Sequence, residues 1–355
     1  MPPSATHGSK MRVRSLPSDQ WPMADRTAWA AACKPGPRLR RGGAASHLKP
    51  ITRNDLARRY GYFLDFLQRR GRLDPNAQAA AQVTPANVEA YIVELKIRVG
   101  SVTLYGSIYK LRRASQLLAP QHDLSWLIET EKDLAQLMQP RSKTGRLVLT
   151  EVLVEAGLTL IAEAEAASQL SMLARARQVR NGLMMVLLAL CPIRLKNFAA
   201  LEIGRTFVQN KGRWWIVLSA SETKERRADE RPIDDLIRPV IDRYLSLCRP
   251  VLARSDSPPE SLWLSSNDGT PMSYSAVERA ISETTRSTIG IGLSPHLFRA
   301  AAASTAAIYS GDDPYLGTAV VHHAHSEVAE KHYNYASGLS AASAYQEIVR
   351  RYRRI

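Results

Sequence analysis

A chain of 355 residues is long enough for two domains of ordinary size, each able to bury a core of its own. Lysine and arginine outnumber aspartate and glutamate by 48 to 33, and the net charge of +15 points to a polyanionic partner, although an ordinary basic protein would carry it too. Three widely spaced cysteines, Cys33, Cys191 and Cys248, exclude a disulfide frame and a Cys-x-x-Cys zinc site and suggest a reducing, cytoplasmic setting; the longest apolar run, 182–191, is too short to cross a bilayer.

Residues 1–45 hold eight basic and two acidic side chains among prolines and glycines, with little periodicity, and read as a flexible basic tail. Met11 and Met23 are alternative starts, and the opening residues lack the apolar stretch of a secretory signal. From 46 to 140 the pattern is helical. Leu56, Tyr60, Phe63, Leu64 and Leu67 fall at helical spacing, Thr84-Pro85 opens a second helix with Val88, Tyr91, Ile92 and Leu95, residues 102–118 give a third, and a fourth follows Asp123. Basic groups on this bundle, Arg58 with Arg59, Arg69 with Arg70 and Arg72, and Lys110 with Arg112 and Arg113, together with Arg226 further along the chain, are candidate contacts to a nucleic-acid backbone, though solvated helix faces carry such groups as well.

The polar, basic stretch 141–146 is the expected linker, and 147–355 the second domain. Thr150 is expected to cap a helix. A buried helix over 179–191 stops at Pro192, and the segment CPIRLKNFAALEIG follows, with Arg194 just past the break. Residues 207–234 switch to strand signals around a Lys211-Gly212 turn, making a small antiparallel sheet with Lys224 near a hairpin tip and Arg226 and Arg227 close by. A helix over 239–252, with Val240, Ile241, Tyr244, Leu245 and Leu247 inward, leads to a short buried segment, Leu262-Trp263-Leu264, and to a further helix over 273–287.

Ser294-Pro295 then starts a helix whose first turns present His296 and Arg299 three apart. Free amide groups at that end, with an imidazole and a guanidinium, make an anion site, and phosphate is the expected ligand. Beyond it come His322, His323 and His325, the segment EKHYN carrying Tyr333, and a basic amphipathic end, YQEIVRRYRRI. The histidines could be metal ligands, but their spacing lacks the cysteine or carboxylate partners of a zinc site.

His296-x-x-Arg299, then His323, then Tyr333 ten residues on within EKHYN, resembles the catalytic end of the tyrosine recombinases, the phage integrase family. Arg194, followed by Leu201, matches the position of that family's first arginine, and Lys224, with Arg226 and Arg227 as competitors, that of its hairpin lysine. The sequence departs from the family at Pro192, where glycine is usual, at Asn197, where an acid is usual, at Val321-His322 before His323, and at Val328-Ala329. The resemblance implies a mainly α fold with a small antiparallel β-sheet, an N-terminal helical bundle preceding a mixed α+β catalytic domain. It implies a site-specific recombinase of mobile or plasmid DNA that cuts and rejoins double-stranded DNA through a 3′-phosphotyrosine, without metal or ATP, and acts as a homotetramer on paired sites with or without accessory directionality proteins. In that set Tyr333 is the nucleophile, with Tyr335 as competitor; Arg194 and Arg299 hold the phosphate, His296 and His323 orient it and move the tyrosine proton, and Lys224 protonates the leaving oxygen. Two other readings remain: a DNA-binding regulator that has lost catalysis, and a type IB topoisomerase.

Overall fold

The computed structural model describes residues 14–37, 42–140, 147–224, 226–255, 257–309 and 320. The chain divides into two compact units, Met1–Ser142 and Lys143–Ile355. In the first, helices α1 (Met23–Cys33), α2 (Pro50–Arg69), α3 (Pro85–Arg98), α4 (Ser101–Leu118) and α5 (Ser125–Gln136) form a bundle. Its core is built on the helical stripes read from sequence: Tyr60, Phe63, Leu64 and Leu67 of α2 meet Val88, Tyr91 and Leu95 of α3 and Ile108 and Leu111 of α4. Thr84 caps α3 by accepting from the Asn87 amide at 3.3 Å.

Charged pairs join the helices of this bundle. Arg69 of α2 grips Glu94 of α3 through two bonds of 2.6 and 3.2 Å while also holding Asp65 at 2.8 Å. Arg112 of α4 holds Glu131 of α5 in the same two-point manner, at 2.6 and 2.9 Å.

The expected flexible tail over 1–45 is overturned for residues 14–37. Leu16 and Trp21 are buried in the bundle core, and the ring of Trp21 meets Tyr60 edge-on with centroids 5.0 Å apart. The Leu16 amide donates to the Gly61 carbonyl at 3.1 Å, and Trp21 Nε1 donates to the Leu16 carbonyl at 2.9 Å. On α1 the buried Asp25 carboxylate accepts from the Ala80 amide at 2.8 Å, where Ala80 takes a left-handed conformation with φ 57°. Arginine and proline content suggested a tail, but Leu16, Trp21, Ala28 and Trp29 supply apolar surface that packs into the bundle core.

The second unit is organised on α7 (Met172–Leu190), whose residues from Leu183 to Ala189 are all buried, packed against α6 (Thr150–Ala166). The two helices cross closely at Gly157 and Gly182: a Cβ on Gly157 would stand 3.0 Å from the Gly182 carbonyl oxygen, and one on Gly182 would stand 2.8 Å from that of Gly157. Thr150 does not cap α6, as expected from sequence, but is its first residue, its amide donating to Thr305 Oγ1 at 2.9 Å.

After the short α8 (Leu195–Ala199) come β1 (Phe207–Asn210), β2 (Arg213–Leu218) and β3 (Asp229–Pro232), an antiparallel sheet in that order. Phe207 pairs with Ile216 and Leu218 with Asp229, so Phe207, Ile216 and Leu218 all enter the core. The helix expected over 239–252 is interrupted: α9 (Arg238–Arg243) passes through a π-helical turn (Tyr244–Cys248) into α10 (Arg249–Ala253). The wider turn shifts the register, and Leu247, expected inward, is 64% exposed. Leu262, Trp263 and Leu264 are fully buried, Trp263 Nε1 donating to the Phe198 carbonyl at 2.8 Å. The unit continues with α11 (Tyr274–Ile289), capped by Ser273, and α12 (Pro295–Tyr309).

Candidate active site

Arg194 stands where α7 gives way to α8. Pro192 cannot extend α7, the Ile193 amide turns back onto the Cys191 carbonyl at 2.7 Å, and Arg194 is extended, its own carbonyl accepting from the Asn197 and Phe198 amides of α8. Ile193 and Leu195 on either side are buried, so the backbone at Arg194 is anchored while its side chain is only half-buried. This places a guanidinium at a rigid edge of the core.

Arg299 comes to the same edge from α12. Leu297, Phe298 and Ala301 bury one side of that helix, and Arg299 is only 7% exposed. Its Nη1 donates to the carbonyl of Pro192, a residue 107 positions away in sequence and two before Arg194. The turn after α7 and the first turns of α12 are therefore adjacent. His296, one turn before Arg299 on α12, is exposed.

Lys224 is exposed on the connection between β2 and β3, a longer loop than the two-residue Lys211-Gly212 turn between β1 and β2. Two anchors shape the loop. The buried Thr223 hydroxyl donates to the Arg227 carbonyl at 2.7 Å and accepts the Arg227 amide at 3.1 Å. The Glu222 carboxylate accepts from Arg205 Nη1 at 2.7 Å and from the Ser219 amide at 2.9 Å. Those bonds, the arginine's first, pull the Glu222 carboxyl down to about 2. Arg226, in a left-handed conformation with φ 55°, and Arg227 are exposed on the same loop as Lys224.

The remaining chemical positions, His323 and Tyr333, lie outside the described residues, as do Tyr335, the linker 141–146 and the basic C-terminal segment. Sequence reading passed over Arg231 on β3, whose guanidinium grips Asp229 through bonds of 2.8 and 3.0 Å and reaches the Val320 carbonyl at 2.7 Å. Its signal was available: Asp229 and Arg231 are two apart on a strand and so share a face.

On the helical bundle, Asp55 accepts from Arg58 at 2.8 Å and pairs with Lys110 at 2.5 Å, which gathers basic side chains of α2 and α4 on one face. Burial alone would raise the Asp55 carboxyl, but the hydrogen bonds from Lys110 and Arg58 outweigh it and hold the group below its ordinary value. Arg59 donates to Ser107 Oγ at 3.3 Å and Arg113 to the Tyr109 hydroxyl at 3.3 Å. Arg112 requires a correction: its side chain is 13% exposed and engaged with Glu131, so it ties α4 to α5 instead of standing free for a partner.

No family model matches the sequence, and no curated protein matches it. Among solved structures, the pre-cleavage complex of the XerH site-specific recombinase bound to difH substrate is similar over 79% of this chain and 76% of that one, with a TM-score of 0.55 and 13% identity. XerA recombinase is matched over 85% of this chain and 94% of that one, with a TM-score of 0.38 and 16% identity. The likeness to XerH gives the chain a tyrosine-recombinase-like fold, mainly helical, with a small three-stranded antiparallel sheet among the described residues.

Proposed function

We propose that this protein is a site-specific DNA recombinase that breaks and rejoins DNA through a covalent 3′-phosphotyrosine on Tyr333. The observation that carries this reading is the seating of Arg299 on the Pro192 carbonyl, which brings two arginines from distant parts of the chain to one edge of the core. Paired guanidinium groups can each offer two parallel N–H bonds to the non-bridging oxygens of a phosphodiester, a geometry that suits the charge developing on the phosphorus as it is attacked. A free phenol titrates near 10 and needs neighbouring cations and a hydrogen-bonding base to act as a nucleophile. The roles follow. Tyr333 forms its bond to phosphorus as the bond to the 5′ oxygen breaks, His296 and His323 orient the phosphate and accept the phenol proton, and Lys224 gives a proton to the departing oxygen. The phosphotyrosine conserves the energy of the phosphodiester, so rejoining needs no ATP.

The basic excess of the chain and the Arg58 and Lys110 face of the bundle fit double-stranded DNA as the partner. Recombination between two sites calls for two protomers on each, a homotetramer working with DNA in the cytoplasm. The decisive experiment is covalent capture on nicked suicide substrates drawn from sequences flanking the gene. Wild-type protein is expected to give an adduct mapping to Tyr333 and Tyr333→Phe none; tight binding with no adduct would instead identify a regulator.

A further inference from the structure

Arg231 is held at three points. Its Nε and Nη2 donate to the two carboxylate oxygens of Asp229 at 2.8 and 3.0 Å, and with that edge of the guanidinium fixed, Nη1 donates to the Val320 carbonyl at 2.7 Å. Both side chains of the pair are largely buried, and Val320 packs in turn against Ala302 and Ala303 of α12, within about one helical turn of Arg299. Burial pushes the Cys191 thiol at the end of α7 up to about 11, with smaller opposing influences from Arg231, which lowers it, and Asp229, which raises it. The pair therefore lies among the end of α7, the strand that closes the Lys224 loop, and α12.

Val320 stands 3 residues before His323 and 13 before Tyr333. We infer that Arg231, oriented by Asp229, is a positioning residue that pins the main chain at Val320 against α12, so that the chain leading to His323 and Tyr333 departs from a fixed point beside Arg299. A lysine could keep the charge next to Asp229 but has no planar fork to hold a carboxylate and a carbonyl at once. The catalytic consequence rests on the recombinase reading; the contact itself does not.

Two measurements test it on the full-length protein carrying Arg231→Lys, Arg231→Met or Asp229→Asn. Hydrogen exchange of the peptide containing Val320 is expected to rise about tenfold in Arg231→Lys and Arg231→Met, while the peptide over 207–218 exchanges as in wild type and reports an intact sheet. Single-turnover adduct formation at saturating nicked substrate is expected to slow by about ten- to hundredfold, with substrate Kd within about twofold of wild type. Asp229→Asn falls between, and combining it with Arg231→Met adds nothing further. Unchanged exchange at Val320 overturns the inference, as does a loss that appears in Kd instead of the rate. If wild type itself forms no adduct on any site, the functional reading fails while the exchange measurement still decides the contact. If wild type forms the adduct and the variants match it, the inference alone is lost.

Discussion

Replacing Arg299 by lysine keeps a cation at the buried end of α12 and removes the guanidinium fork. In the structure one donor of that fork is committed to the Pro192 carbonyl, which restrains the plane of the group. A lysine ammonium is a point charge on a flexible stem and cannot both hold that carbonyl and present two parallel donors to a phosphate. Losing a charge-assisted hydrogen bond at a side chain this buried costs about 1.5–3 kcal/mol of stability. Against a domain stability of roughly 5–15 kcal/mol, even the worst combination leaves about 2 kcal/mol, at which about 97% of the molecules remain folded. Unfolding therefore accounts for only a few per cent of any lost activity. The loss of a preorganised donor to the transition state is expected to slow adduct formation by about 10²- to 10³-fold. Single-turnover capture on a suicide substrate, with urea unfolding of the same preparation, separates the two effects. An Arg299→Lys protein that captures DNA at the wild-type rate, or one whose rate falls only in step with its folded fraction, would refute the assignment of Arg299 to the phosphate.

Trp21→Ala is expected to destabilise the helical bundle by about 3–5 kcal/mol in urea titrations, since it empties a core position packed on Tyr60; a cost under about 0.5 kcal/mol would restore the tail reading. If Lys224 is the proton donor, Lys224→Ala slows cleavage of ordinary DNA but not of a substrate whose 5′ bridging oxygen is replaced by sulfur, because a thiolate leaves without a proton; rescue of Arg226→Ala or Arg227→Ala instead would move the role to that residue. The Glu222 carboxyl is held at about 2 when folded against an ordinary value of 4.5, so its stabilisation of the Lys224 loop is complete above about 4.5 and fades as pH falls towards 2. The Glu222 side chain is 28% exposed and its partner Arg205 51%, so solvent screening holds the effect to about 1 kcal/mol or less, read as the difference between wild type and Glu222→Gln in unfolding over that range. Arg58→Ala is expected to weaken DNA binding uniformly across sequences and to lower the salt slope by about 1, whereas Glu131→Ala, which strands Arg112, lowers stability by about 3 kcal/mol without changing that slope.

Local patterns carried much of this protein. The 3.6-residue stripe of α2, Thr84-Pro85 ahead of α3, the Lys211-Gly212 turn and Pro192 at the end of α7 each act within a few residues, so the elements they define were legible without a structure. His296 and Arg299 were singled out in the same way, from residue type and spacing, whereas Arg194 and Lys224 were matched only through the resemblance to the tyrosine recombinases. What failed was whatever depended on a distant partner. Basic and proline-rich composition hid the Leu16 and Trp21 anchor because its complement lies on α2, and the π-helical turn that exposes Leu247 alters a register that a uniform helical period cannot express.

By itself, then, the sequence determined most of the helical and strand segments and the presence of a helical bundle ahead of a sheet-bearing unit. Only the folded chain decided that Arg299 meets the turn before Arg194, that Arg112 is closed off by Glu131, and that Arg231 reaches across to Val320. The physical reason is range. Backbone preferences and helix caps are properties of neighbours, whereas the direction of a guanidinium is set by whichever carbonyl or carboxylate packing brings to it, and that partner can be anywhere in the chain.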